Sequence, residues 1–109
     1  MPSDESIRRE LWVSMVSQFR SHLAMLTVAG RLGEGKFVEA TQRCEVHTGT
    51  AAGILTLRFD PVSGTGVWTH FSQRQTVGSW FLATDGVVVV DGKDLDIEFA
   101  VEHFAAKLI

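Results

Sequence analysis

The side chains with chemical reach in this 109-residue sequence are four histidines, one cysteine and a carboxylate-rich stretch near the C-terminus. Imidazoles chelate a metal readily when two lie three or four residues apart on a helix, or two apart on a strand. His22, His47, His70 and His103 share none of those spacings, and Cys44 is the single thiol. No metal and no other cofactor is expected. Cys44 has no activating base beside it and reads as a small buried apolar residue. Asp85, Asp91, Asp94, Asp96 and Glu98 could together hold a cation or move protons. Their spacing does not fit a calcium loop, and hairpin turn, strand stop and helix cap each call for Asp on backbone grounds. No Gly-x-Ser-x-Gly elbow occurs, and Ser63-Gly64-Thr65-Gly66 reads as a flexible turn. Gly30, Gly33 and Gly35 match neither phosphate-loop nor dinucleotide spacing.

Trp68, His70 and Trp80 stand out among the aromatic residues. Trp68 and His70 fall on one face of a strand, and Trp80 lies on the next strand. A hairpin about Arg74 would set the two indoles opposite each other. Beneath a helix they are core. On an open face beside Arg58 and Thr56 they form a flat surface for a ligand or a partner, with His47 able to contribute. Trp68, His70, Trp80, His47 and Arg58 are the candidate ligand or partner surface.

The elements that must position these groups are legible as changes of period. Ser3 can cap a helix from residue 4, with Asp4 and Glu5 in its first turn. Ile7, Leu11 and Met15 form one apolar row; Trp12, Val16, Phe19, Leu23 and Leu26 form another at spacings of four and three. This broad face packs on the domain's own sheet, or part of it (Trp12, Val16, Phe19 and Leu23) meets a second copy. Two ends are open to the helix. Gly30 suits the C′ position of a longer helix. The β-branched pair Thr27-Val28 and the turn Gly33-Glu34-Gly35 instead favour an end near 21 and a first strand over 24–32, and that is the preferred reading.

Beyond Gly35 the apolar period becomes two. Residues 36–47 read as one strand, with Val38, Ala40, Cys44 and Val46 on a common face. Further strands are predicted at 55–59, 67–71, 77–83 and 87–90, the last buried on both faces. Turns fall at Thr48-Gly49-Thr50, 60–66, 72–75, Asp85-Gly86 and Asp91-Gly92. Asp94 or Asp96 caps a final helix to about 107, with Ile97, Val101, Phe104 and Leu108 as its stripe. Short connections make neighbouring strands antiparallel. The predicted fold is one α+β domain over residues 1–109: a single antiparallel sheet of five to six strands in a meander, with an N-terminal and a C-terminal helix packed on it.

Composition narrows the function. The net charge of −3 and scattered basic residues argue against nucleic acid and against an anionic membrane surface. A lone cysteine and no basic leader point to the cytoplasm. Hydrophobic residues make up 45% of so short a chain, which favours a homodimer or a protein partner. The expected function is a non-enzymatic interaction or dimerisation module. The alternative is a small-molecule binder, or a simple metal-independent enzyme, with a pocket between sheet and helices.

Overall fold

The computed structural model describes residues 3–33, 35–48 and 52–109. Helix α1 runs Asp4–Val28. Ser3 Oγ accepts the Ser6 N–H at 3.1 Å, which satisfies one of the free donors of the first turn. At the other end Gly30 takes φ 74°. The Arg31 N–H then reaches the Leu26 carbonyl at 2.9 Å, and the Gly30 N–H that of Thr27 at 3.1 Å. That is a Schellman closure. The preferred strand over 24–32 is therefore corrected: residues 24–28 are helix. Thr27 and Val28 lose a few tenths of a kcal/mol each in a helix, but Leu23 and Leu26 are buried there, and Thr27 Oγ1 bonds the Leu23 carbonyl at 3.0 Å.

The sheet has seven strands in sequence order, each antiparallel to the next. They are β1 Lys36–Ala40, β2 Arg43–His47, β3 Ile54–Phe59, β4 Thr65–Phe71, β5 Gln75–Leu82, β6 Val87–Val90 and β7 Lys93–Asp96. Helix α2 follows at Ile97–Ala105, continued by a short 3₁₀ turn at Ala106–Leu108. The meander and both terminal helices are as predicted. The strand count rises from six to seven because 24–32 is lost while two others appear. The stretch 36–47 folds back at Thr41-Gln42 into two strands. That turn reverses the phase: Phe37 and Glu39 share a face with Val46 and Cys44, while Val38 and Ala40 point the other way. Asp91 and Gly92 both have positive φ, as a two-residue type I′ hairpin requires. They turn β6 into β7 instead of ending the sheet. Asp96 is the N-cap position of α2. Val87–Val90 is buried on one face only, with Val89 exposed. The turn expected at Thr48-Gly49-Thr50 lies partly outside the described residues, as does Glu34 of the Gly33–Gly35 turn.

Both helices lie on one face of the sheet. Trp12 stacks on Phe59 at 5.3 Å and on Trp80 at 5.8 Å, and Trp80 meets Phe104 edge-on at 5.9 Å. This column ties α1, β3, β5 and α2 together. Trp12 Nε1 donates to the Thr41 carbonyl at 3.0 Å, anchoring the β1–β2 turn to α1. Ala100 and Ala105 are fully buried and let α2 approach closely.

Candidate interaction face

The register divides the predicted site residues between two faces. Trp68 pairs with Leu57 and Gly78, and Trp80 pairs with Gly66. All point toward the helices, and both tryptophans are buried. His70 is on the same side, where its Nε2 donates to the Ala52 carbonyl at 2.5 Å. His47 and Arg58 point the opposite way. The five residues thus form no common surface. The hairpin is centred on Gln73, since Phe71 pairs with Gln75, so each indole lies over a glycine and not over the other indole. A Cβ at Gly66 would overlap the Trp80 ring, and one at Gly78 the Trp68 indole. A readable signal was available: Gly-x-Trp occurs twice, at 66–68 and 78–80, and antiparallel pairing interlocks the two copies. Lys107 Nζ covers the outer side of Trp68, 3.9 Å from the ring centroid.

The row Trp12, Val16, Phe19 and Leu23 is also corrected as a dimer contact. All four are buried against the chain's own sheet, the most exposed at 6%. Burial of such a row contributes about 1.5–3 kcal/mol per large side chain, and that gain is taken inside one chain.

The other sheet face has no helix on it. Alternation from the buried positions sends Val67, Phe71, Val77, Phe81 and Val89 outward, with exposures of 38–59%. From sequence these residues fall within predicted strands, with Val89 expected to be buried on both faces, and no surface is expected there. Polar groups flank them unevenly. Arg43 and Arg58 are register partners on β2 and β3. Like charges directly opposite repel. Glu45 offsets one of them, with Arg43 Nε at 3.8 Å, and also accepts from His47 at 3.2 Å. No carboxylate among the described residues lies within ion-pair reach of Arg58. The arginines line an open concavity of about 780 Å³ with Thr65, Val67 and Ser79. At the far side, Asp94 and Asp96 pair with Val89 and Val87 and point out on the same face.

Two further groups resolve into structural roles. Cys44 is buried, and loss of hydration pushes its thiol pKa to about 12, so it stays protonated. Asp91 accepts from His103 Nε2 at 2.7 Å and lies 3.4 Å from Lys107 Nζ, locking the β6–β7 turn to α2. The hydrogen bond from His103 holds Asp91 below the usual carboxylate range, and Lys107 adds to it against the opposing effect of burial. Among the described residues no group of three or more His, Cys, Asp or Glu is placed to hold a metal ion, and no helix is long and apolar enough to cross a membrane. Compared with known proteins, the chain gives no significant match to a family model, a curated protein or a solved structure. Fold and surface together define a two-layer α+β domain with one covered and one bare sheet face.

Proposed function

We propose that this chain is a non-enzymatic interaction module of the cytoplasm whose working surface is the bare face of the sheet. One observation carries the reading: both helices are spent on one face, while five large apolar side chains stand exposed together on the other. Contiguous apolar surface of that kind marks interaction sites in folded proteins. The buried single thiol suits a reducing compartment. The test compares wild type with Val77→Glu/Phe81→Glu. Both positions are solvent-facing, so melting temperature and circular dichroism stay close to wild type. Wild type retains a protein, or a second copy of itself, that the variant releases. Equal retention by both, or none by either, overturns the proposal.

A second reading places a small anionic molecule in the concavity over β2–β4. The Arg43–Arg58 pair favours it, since two guanidinium groups side by side suit a phosphate or carboxylate. The space between sheet and helices, where a pocket is expected from sequence, is packed by Trp12, Phe59, Trp80 and Phe104; a recess of about 180 Å³ remains between α1 and β1–β2. A thermal-shift series with phosphates and carboxylates tests the arginine site. A stabilisation lost in Arg58→Ala supports it, and no shift from any anion removes it.

A further inference from the structure

Resting on the interaction reading, we infer that the bare face is occupied by a second copy of this chain, packed sheet to sheet about a two-fold axis that runs along the strands. The charge distribution selects the occupant and its orientation. Outward from the apolar centre, β2 and β3 carry Arg43 and Arg58, and β7 carries Asp94 and Asp96. Lys93 pairs with Val90, a buried residue, and so lies on the other side of β7. The face is therefore net basic on one flank, where Glu45 offsets only Arg43, apolar in the middle and acidic on the other. Two identical sheets in contact face to face have their two-fold axis in the plane between them. An axis across the strands would lay the arginine strands on their own copies. An axis along the strands, between β4 and β5, lays β2–β3 over β6–β7 of the second copy and brings the arginines toward its Asp94 and Asp96. Val67 and Phe71 of β4 then face Val77 and Phe81 on β5 of the second copy in the middle. Arg58, with no carboxylate in ion-pair reach among the described residues, gains an acidic neighbour.

Size and edges agree. Seven strands at about 4.8 Å spacing and about 3.3 Å rise per residue give a face of roughly 600 Å², near the roughly 800 Å² per partner of a standard specific interface. The edges suit strand addition less well. β7 reads Lys-Asp-Leu-Asp, and charged edge strands resist pairing with another sheet.

Sedimentation equilibrium of the full chain at about 100 µM, near the weak end of specific protein association, tests the proposal. Wild type is expected at twice the chain mass, and Val77→Glu at the single mass with an unchanged melting temperature. Charge reversal gives the sharper result. Arg43→Glu/Arg58→Glu leaves both flanks predominantly acidic, and Asp94→Arg/Asp96→Arg leaves both predominantly basic. Each alone is expected to weaken self-association roughly 100-fold through like-charge contact. Mixed in equal amounts, they form a heterodimer. A monomeric wild type, a dimer insensitive to Val77→Glu, or a charge-reversed pair that fails to associate on mixing overturns the inference. The broader reading is judged separately by retention on wild type against Val77→Glu/Phe81→Glu: a protein held only by wild type preserves the surface while excluding the second copy as its occupant.

Discussion

Gly66 and Gly78 leave the space that the Trp80 and Trp68 rings occupy, so a methyl group at either position must push an indole off its strand. Gly78→Ala is expected to cost about 1–3 kcal/mol in urea unfolding, as overpacking does. In a Trp68→Leu background the same change should cost less, giving a coupling term in a double-mutant cycle. Cys44 is expected to resist a thiol reagent at pH 8 in the folded protein and to react fully in urea, because a pKa near 12 leaves almost no thiolate. Fast labelling of the folded chain would contradict its buried placement. Asp91 gives a pH dependence of definite sign. Its folded pKa lies below its unfolded value near 3.9. The stabilisation is thus present at neutral pH and is lost as pH falls below about 4, through the folded pKa. Asp91→Asn keeps a residue tolerant of positive φ but removes the charge. Its deficit against wild type should be largest near pH 6 and shrink toward pH 3. Alternation alone assigns Trp68 and Trp80 to a common face; it does not say which face the helices cover, and only the interlocked Gly-x-Trp pairs carry a hint of crowding there.

At the scale of elements, the strongest patterns were read correctly. The 4-3-4-3 row from Trp12 to Leu26 is the buried face of α1 over that whole length, past the end near 21 preferred from sequence. Thr27 and Val28 suggested an earlier stop because β-branching is a local signal, whereas burial of Leu23 and Leu26 is tertiary and outweighs it. Gly30 was the better guide: its φ of 74° is the conformation a helix terminator needs. A Cβ there meets no neighbour within 4 Å, so Gly30→Ala is expected to cost about 1–2 kcal/mol from backbone strain alone, with Gly30→Asn less damaging. Equal losses in thermal unfolding would argue against that origin. The phase of β1 was misread because Thr41-Gln42 carries no Gly or Pro to announce a turn. Asp91-Gly92 did announce one; of the two carboxylates offered as the cap of the final helix, Asp96 is its N-cap position and Asp94 lies within β7.

For the molecule as a whole, short connections implied the meander and the two apolar helices implied a covered layer. Neither could assign a sheet face to solvent, because Val67, Val77 and Val89 look in sequence like any other strand residues. That assignment is where the functional proposal comes from, and salt probes it further. Screening at 1 M salt should weaken the charged flanks and leave the apolar centre intact, so self-association is expected to fall without being abolished. The four-ring column has a different consequence. It takes Trp12 from the first helix and Phe104 from the last, so it closes only when both ends of the chain have arrived. Strands that neighbour one another in sequence can zip up early. The indole emission of Trp12 and Trp80 therefore reports the docking of the two helices, and one side of Trp80 stays wet until Phe104 arrives.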